Sequence, residues 1–354
     1  MMYKQIRKLL QKSDTFIFQI KQLSSNTNEI VATGQTEILP ACNSDSRLLK
    51  VAVIGMPNAG KSTFINYLMD RKVCPSSAKV HTTRGKARAI FTQDNTQIVF
   101  MDTPGIVSDK EHKKFNLEKT FIRDSKNVSR DADMIGIIHD VTNFWTRDRL
   151  DMKIIKLLEY HKSKPSFLIF NKIDALKSKR KLLDLARLLT ENCLDGKPMP
   201  GTKSFNREGS DMKGWPYFQD IFMVSALTGD GLEDVRNYLI SKAQPGEWLF
   251  PEQVWTDQST ETIITNTVKA KLLDFIPQEI PYNLKPCMEY FNVDETGEVT
   301  CVVLVQCPTD RIVKLVAGAS DGKIKQITES VQKDLQETFH NFVKIKIVLT
   351  SQEQ

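Results

Sequence analysis

The stretch "VAVIGMPNAGKST", residues 51–63, decides the fold of this chain. It continues the apolar, β-branched run "LLKVAVI" at 48–54, which is typical of a strand buried on both faces of a parallel sheet. The residues "TFINYLMD" at 63–70 then predict a helix. Between strand and helix lies the spacing G-x-x-x-x-G-K-S at 55–62, and in this context it predicts a loop that holds nucleotide phosphates.

The residue types of this loop suit phosphate chemistry. Glycines at its two ends let backbone N–H groups close around phosphate oxygens, and the start of the helix adds positive potential there. We expect Lys61 to reach the β- and γ-phosphates and the Ser62 hydroxyl to bind Mg²⁺. The nucleotide contacts predicted in this loop are Gly55, Asn58, Ala59, Gly60, Lys61, Ser62 and Thr63.

A second apolar run, "TQIVFMDTPG" at 96–105, predicts a strand over 97–101. The strand ends at Asp102, whose carboxylate can hold Mg²⁺ through water. Gly105 lets its backbone N–H approach the γ-phosphate and lets the following segment move. Because this motif ends a strand, 47 residues after Gly55, we predict that Asp102 and Gly105 belong to the same site.

Two further strand ends identify the base. "PSFLIFNKIDAL" at 165–176 ends a third strand in Asn171, Lys172 and Asp174, and "DIFMVSALTGDGL" at 220–232 ends a fourth in Ser225, Ala226 and Leu227. An aspartate accepts two hydrogen bonds from guanine N1 and N2, whereas adenine offers no such pair of donors. We expect Lys172 to cover the ring face and the Ala226 N–H to donate to guanine O6. The predicted nucleotide is therefore a guanine nucleotide.

Five segments occur along the chain in this order: "GMPNAGKSTFINYL", "VHTTRGKARAIF", "DTPGI", "NKID" and "VSALTGDGLEDV". Together they resemble the GTPase domain of the Era family, which is one group of translation-factor-like GTPases. The resemblance implies a Ras-like α/β domain, a doubly wound sheet with GTP or GDP and Mg²⁺ at the C-terminal ends of its strands. It places a mobile Mg²⁺-binding threonine at Thr83, with Thr82 as the alternative. This loop would order with GTP and loosen after hydrolysis.

The residue after Asp102-Thr-Pro-Gly105 bears on catalysis. Ras-like proteins orient the attacking water with a glutamine there, but this chain has Ile106, so we expect slow intrinsic hydrolysis. In relatives that share Pro-Asn-x-Gly-Lys-Ser, the asparagine helps to hold a potassium ion. The resemblance carries this role to Asn58, and capping of the turn is its alternative role. The catalytic candidates are Lys61, Thr83 and Asn58.

The residues after 243 resemble a second module. A connector rich in proline and tryptophan precedes a predicted helix near 261–276, two strand-like runs, two helices around a glycine loop, and a last strand. This α-β-β-α-α-β order is that of a type II K-homology domain, and "FPEQVWTDQS", "EIPYNLKPCMEYF" and "GKIKQITESVQKDLQETF" resemble the Era segments. We predict α/β architecture: a Ras-like doubly wound GTPase domain followed by an α+β type II K-homology domain.

The resemblance is weakest in the loop between the two helices. K-homology domains clamp the backbone of a single strand with Gly-x-x-Gly. This chain has Gly318-Ala319-Ser320-Asp321, so an aspartate stands near the expected phosphate. Residues 268–354 carry 10 basic and 12 acidic side chains, which weakens the electrostatic attraction that usually drives RNA binding. The strength of RNA binding and its target stay open on this ground.

The chain divides into an import presequence and linker at 1–47, the GTPase domain at 48–243 and the K-homology domain at 244–354. Residues 192–220 are rich in Gly, Pro and charge and predict a surface insertion, either a tolerated loop or a partner contact. The first 28 residues have five basic side chains and one acidic one, which is typical of a mitochondrial import sequence; a disordered tail is the alternative.

The overall composition limits the classes of protein to which the chain can belong. The net charge is +6, and the six cysteines and five histidines show no metal-ligand spacing, which suits a reducing compartment without structural zinc. No apolar run reaches the length of about 20 residues that a membrane span needs, so we expect no integral membrane segment. We predict a monomer in the mitochondrial matrix, with peripheral contact with the inner membrane as an option and the cytoplasm as the alternative.

Two functions remain after these arguments. In the first, a GTP-dependent switch binds small-subunit ribosomal RNA, contacts ribosomal proteins and assists assembly of that subunit, as the resemblance implies. In the second, the K-homology domain binds a protein partner and the GTPase acts as a regulator. Arg84, Lys86 and Arg88 weakly favour the first function, although ordinary surface charge explains them equally well.

Overall fold

The computed structural model describes residues 45–74, 87–102, 129–200, 212–277 and 279–351. Within these residues the chain forms one large sheet flanked by helices and a smaller sheet near the C terminus. The predicted architecture, a doubly wound α/β domain followed by the order α-β-β-α-α-β, is confirmed.

The large sheet has the strand order β2-β3-β1-β4-β5-β8. β1, β3, β4, β5 and β8 are parallel, whereas β2 runs antiparallel to β3. The four motif-bearing strands do not all lie side by side, because β4 separates β1 from β5. The strands of this sheet are β1 Arg47–Gly55, β2 Ala87–Gln93, β3 Thr96–Asp102, β4 Met134–Asp140, β5 Ser166–Asn171 and β8 Phe218–Met223.

Helices cover both faces of this sheet. α1 Lys61–Leu68 and α4 Leu232–Lys242 pack on one face, where Val51, Val53 and Phe100 are buried. α2 Met152–Tyr160 and α3 Arg180–Leu189 pack on the other face. The central strands are buried on both faces because helices lie above and below them, which explains their continuous apolar runs.

The predicted surface insertion at 192–220 is contradicted at its C-terminal end, whereas its N-terminal end is a mostly exposed hairpin. Its start forms a hairpin of β6 Cys193–Leu194 and β7 Lys197–Pro198. Its end carries Trp215 and Phe218, which lie buried in the core with α2 and α3. Their rings contribute apolar area to that core, which the Gly- and Pro-rich composition of the segment conceals. Residues 201–211 lie outside the described part of the chain.

The C-terminal sheet has the order β10-β11-β12, with β10 antiparallel and β12 parallel to the central β11. The inward residues of β11 alternate with outward ones, so one face packs on three helices. The elements are α5 Thr260–Phe275, β10 Lys285–Val293, β11 Val299–Cys307, α6 Asp310–Ala317, α7 Gly322–Phe339 and β12 Val343–Ser351.

The connector that follows α4 adds to the large sheet. β9, Gln244–Pro245, pairs antiparallel with β1, and Thr256 forms a single bridge with Ala89 of β2. The Ile90 N–H donates to Trp255 O at 3.0 Å. The connector therefore runs along the first sheet before α5 begins, and a domain boundary at residue 244 stays a prediction.

Candidate functional site

The carboxyl ends of three parallel strands meet at one edge of the large sheet. Gly55 ends β1, Asp140 ends β4 and Asn171 ends β5. Gly55 pairs in register with Ile138, and Asp140 pairs with Asn171. In open parallel sheets, ligands bind outside these strand ends. The candidate nucleotide site is this edge.

The phosphate loop leads from β1 into α1. α1 begins at Lys61, and its first turn, all of it described, carries no acidic side chain that would repel an anion. Lys61 is buried, and its Nζ donates to Gly55 O and to Met56 O, each at 3.1 Å. The ammonium group is therefore held at the mouth of the loop, where it can meet the phosphates that the helix N-terminus attracts.

Gly60 needs to be glycine for two reasons. Its φ is 95°, in the left-handed region that favours glycine. A Cβ at this position would also collide with Asn171 Nδ2. The loop at 55–62 and the strand end expected to recognise the base thus touch at a point where only glycine fits.

Asn171 joins three loops. It is buried, and its Nδ2 donates to Ala59 O at 2.7 Å. Its Oδ1 accepts hydrogen bonds from the Lys172 N–H at 2.8 Å and from the Ala226 N–H at 2.9 Å. One amide therefore ties together the phosphate loop and the two loops expected to hold the base.

The Ala226 contact differs from the sequence expectation. The Ala226 N–H donates to Asn171 Oδ1 in this structure, whereas the sequence analysis directed it to guanine O6. The neighbouring Ser225 is buried, and its Oγ accepts the Thr228 N–H at 3.2 Å. Leu227 is exposed. The direct contact of Ala226 with guanine stays a prediction.

The loop after β5, which is expected to recognise the base, exposes the charge of Asp174 and holds that of Lys172 against Asp140. Asp174 is exposed on a single helical turn, Ile173–Ala175, where its carboxylate can face a ligand. Lys172 has a left-handed φ of 69°, and its Nζ lies 2.6 Å from Asp140 Oδ2. The lysine stem is thereby held between the strand ends of β4 and β5.

Asp140 was missed by the sequence analysis. Its Oδ1 accepts hydrogen bonds from the Thr142 N–H at 2.8 Å and the Thr142 hydroxyl at 2.6 Å. Burial by itself raises the pKa of Asp140, but the hydrogen bonds from Lys172 and Thr142 outweigh burial and hold the pKa below its usual value. The signal was available in "DMIGIIHD" at 133–140, an apolar run that ends in an acid as β3 does.

The remaining predicted site residues have varied positions. Asn58 is exposed with a left-handed φ of 59°, a conformation that asparagine tolerates in turns. Ser62 and Thr63 lie in the first turn of α1. The backbone of Asp102 pairs with Val53, two residues before Gly55. Thr83, its alternative Thr82, Gly105 and Ile106 lie outside the described residues.

The loop between α6 and α7 departs from the expected clamp in sequence and holds an unusual conformation. Gly318, Ser320 and Asp321 have φ values of 76°, 48° and 59°. Asp321 stands at the start of α7, and within the described residues its carboxylate makes no capping hydrogen bond to that helix. Its exposed charge therefore stands at a helix N-terminus, where a carboxylate is favoured and a phosphate would meet repulsion.

A second feature that the sequence did not reveal is a contact between the segment that follows α1 and helix α7. The segment 69–74 that follows α1 contacts α7, since the Arg71 Nη1 donates to Thr338 O at 3.2 Å and Lys72 Nζ lies 2.7 Å from Asp334 Oδ1. The Arg71 guanidinium also lies 4.9 Å from the Trp255 ring centre. The helix that begins at the phosphate loop thus ends against the C-terminal module.

No helix among the described residues is both long and apolar enough to cross a membrane.

A protein-family model described as a 50S ribosome-binding GTPase matches residues 50–172. The chain is 33% identical over 347 residues to "GTPase Era, mitochondrial" of Salmo salar, covering 86% of this chain and 76% of that protein. It is 31% identical over 301 residues to "GTPase Era" of Sinorhizobium medicae, covering 84% of this chain and 87% of that protein.

Solved structures resemble the same part of the chain. A crystal structure of Era in complex with MgGDPNP and nucleotides 1506–1542 of 16S ribosomal RNA has a TM-score of 0.69 and 22% identity. It covers 86% of this chain and 94% of the other. An Aquifex aeolicus Era variant bound to GDP·AlF4⁻ gives the same TM-score and identity. At this identity the likeness concerns the fold.

Proposed function

The chain belongs to the Era family of GTPases and hydrolyses GTP, and from this premise we propose that it is a switch that binds small-subunit ribosomal RNA and assists assembly of that subunit in mitochondria. The observation that carries the proposal is the contact between the segment that follows α1 and helix α7 of the C-terminal module. α1 begins at Lys61 in the phosphate loop, and the segment after it is bound to α7 through Lys72 and Asp334. A change at the nucleotide thereby has a short path to the C-terminal module.

At the nucleotide, the proposed roles combine the residue types of the motifs with the positions of the described loops. We assign the phosphates to Lys61 and the N–H groups of the loop, and the guanine edge to the exposed carboxylate of Asp174. Mg²⁺ fits Ser62 and Asp102, with Thr83 completing the set, because hydroxyl and carboxylate oxygens are the ligands it prefers. When bound, the metal ion offsets the charge that develops on the phosphates. Asn58 is a ligand for K⁺ in this proposal.

RNA binding rests on different support. The Era of known structure is bound to a fragment of 16S ribosomal RNA. Its fold matches 86% of the present chain, which includes the C-terminal module. We propose that the α6–α7 region here also meets a single strand, with ribosomal proteins nearby. The relatives named mitochondrial and the basic first 28 residues support a mitochondrial location, in the matrix or at the inner membrane.

The alternative function is a regulator whose C-terminal module binds a protein. The observation that favours it is Asp321, whose exposed carboxylate stands at the start of α7 where a clamp would receive phosphate. The charge balance of residues 268–354, 10 basic against 12 acidic, points in the same direction because RNA affinity depends on positive charge.

Crosslinking in cells, followed by sequencing of the bound RNA, distinguishes the two functions. We expect small-subunit ribosomal RNA above background, with a mitochondrial sequence, and less of it with Lys61→Ala, because that variant cannot hold the nucleotide phosphates. Recovery of no ribosomal RNA above background would refute the first function. Recovery of a protein partner alone would establish the second.

The nucleotide assignment has its own test. Asp174→Asn should weaken GTP binding and admit xanthosine triphosphate, because the amide offers the base edge a donor in place of an acceptor. Titration with fluorescent GTP and xanthosine triphosphate analogues measures both. Unchanged GTP affinity would show that Asp174 does not read the base.

A further inference from the structure

Asp140 lies at the end of β4, beside Asn171 in the register of the sheet. We propose that Asp140 is a positioning residue for guanine nucleotides: its carboxylate holds the stem of Lys172 in the orientation that covers the purine ring. The inference rests on the proposed function, because it takes from there the placement of Lys172 at the base. It adds a residue outside the sequence motifs to the site.

The geometry supports a fixed lysine. Lys172 Nζ donates to Asp140 Oδ2 at 2.6 Å, and the Lys172 N–H donates to Asn171 Oδ1 at 2.8 Å. Both ends of the residue are therefore held. A free lysine loses much side-chain entropy when it is ordered, so a stem that is already ordered loses less when the nucleotide binds.

The carboxylate is itself held in place. Its side chain is 20% exposed, and Oδ1 accepts two hydrogen bonds from Thr142, through the N–H and the hydroxyl. This leaves Oδ2 directed at the amine. The hydrogen bonds hold the pKa of Asp140 below its usual value against the effect of burial, so the group is ionised at neutral pH. An ionised acceptor forms the stronger hydrogen bond to an ammonium group.

The proposed role of Asp140 predicts a pattern of nucleotide affinities that differs from that expected for Asp174. A lysine stem over the ring face is indifferent to the groups on the base edge, whereas Asp174 reads that edge. Loss of Asp140 should therefore weaken GTP, GDP and inosine triphosphate by the same factor. Loss of Asp174 should change the preference among bases instead.

The matched pair of variants is Asp140→Asn and Asp133→Asn. Asp133 precedes the start of the same strand, β4, and its Oδ1 lies 3.3 Å from Lys50 Nζ, so this variant removes an Asp–Lys pair from the opposite end. Titration of fluorescent GTP, GDP and inosine triphosphate analogues gives each Kd. Asp140→Asn should raise all three about tenfold, as expected for a charged hydrogen bond. Asp133→Asn should leave all three Kd values and kcat at saturating GTP unchanged.

A double-mutant cycle separates positioning from a general structural effect. In the Lys172→Met background, Asp140→Asn should cause no further rise in Kd, because there is no amine left to position. A full tenfold rise in that background, or an unchanged Kd in the single variant, would overturn the inference. If Asp174→Asn also leaves base preference unchanged, the site assignment itself fails; if only the Asp140 result fails, the proposed function stands.

Discussion

Lys72 Nζ lies 2.7 Å from Asp334 Oδ1, although 262 positions separate the two residues along the chain. Lys271 Nζ lies 2.7 Å from the other oxygen, Oδ2, of the same carboxylate. The Asp334 side chain is only 13% exposed. One carboxylate on α7 therefore receives two amines, one from the segment after α1 and one from α5.

Replacement of Asp334 by Asn should loosen the contact between the nucleotide half and the C-terminal module. The variant removes the carboxylate that Lys72 and Lys271 share, although Lys72 keeps Glu337 at 2.8 Å. We expect a loss of about 2 kcal/mol in the free energy of unfolding, since Asp334 is largely but not fully buried. Urea denaturation measures the loss, and limited proteolysis of the connector at 246–254 reports the loosening.

The control for that variant is Glu298→Gln. Glu298 pairs with Lys344 at 3.4 Å, and both side chains are more exposed than that of Asp334, so the substitution should change stability by less than about 0.5 kcal/mol. If Asp334→Asn and Glu298→Gln have the same stability and the same proteolysis pattern, the carboxylate does not tie the two halves together.

Gly60→Ala should disable the nucleotide site. The left-handed φ of 95° is strained for alanine, and its Cβ would displace Asn171 from Ala59 O. We expect nucleotide affinity to fall by roughly a hundredfold, because about 3 kcal/mol of strain and lost hydrogen bonding are combined at one point. Isothermal titration with GDP measures the change.

Gly322→Ala is its matched control. Gly322 begins α7 with a helical φ of −65°, and a Cβ there meets no atom of the described residues within 4 Å. This variant should bind GDP normally and gain about 0.5 kcal/mol of stability from the lower entropy of the unfolded chain. Normal GDP binding by Gly60→Ala would contradict the close approach seen between the phosphate loop and Asn171.

A pair of tryptophan variants tests whether the C-terminal end of the 192–220 segment belongs to the core. Trp215 is 3% exposed and packs with α2 and α3, whereas Trp145 is 83% exposed on the loop after β4. Trp215→Ala should cost about 3–5 kcal/mol of stability, since a large buried side chain is lost. Trp145→Ala should cost less than about 0.5 kcal/mol. Equal thermal shifts for the two variants would show that Trp215 is not part of the core.

Because His139 is buried, we expect the free energy of unfolding to fall in mild acid. The His139 Nε2–H donates to Arg147 O at 2.9 Å. Burial lowers the pKa of His139, against the opposing effects of the Arg147 hydrogen bond and the nearby Asp140 and Asp148 carboxylates. The folded protein thus holds the ring neutral while the unfolded chain binds a proton below about pH 6.5. Stability from this group is complete above that pH and is lost as the pH falls through the folded pKa.

Urea denaturation at pH 7.5, 6.5 and 5.5 measures this dependence. Below pH 6.5 the stability attributable to His139 should fall by up to about 1.4 kcal/mol per pH unit. His139→Gln can still donate to the Arg147 carbonyl but does not titrate, so its stability should fall less over the same range. Identical slopes for the two proteins would rule out a neutral, buried His139.

Much of the fold follows from local pattern. β1, β3, β5 and β8 were predicted because each is an apolar run that ends in a recognisable motif, and the helix at 61–68 follows directly from its glycine loop. β4 has the same kind of run but ends in His139 and Asp140, which match no familiar motif, so its place between β1 and β5 was not predicted. The C-terminal end of the 192–220 segment was wrongly predicted to lie at the surface, because its many polar residues conceal the apolar area that Trp215 and Phe218 bury.

The candidate site divides in the same way. Lys61, Asn171 and Asp174 were identified from residue type and spacing, and the structure brings Asn171 to the phosphate loop through Ala59 O. That Asn171 Oδ1 takes the Ala226 N–H was not predictable. A motif specifies which groups are present at a strand end, but the partner of each group depends on how the neighbouring loops pack.

By itself the sequence determined that the chain has four motif-bearing strands, a G-x-x-x-x-G-K-S loop, motifs typical of a GTPase and an α-β-β-α-α-β module at its C-terminal end, because periodicity and short motifs are local properties of the chain. Only the tertiary structure decided that Asp140 pairs with Lys172 and that Asp334 joins Lys72 and Lys271. An ion pair depends on distance in space, and any of the chain's 43 acidic side chains could have been the partner of a given lysine until the sheets and helices were packed together.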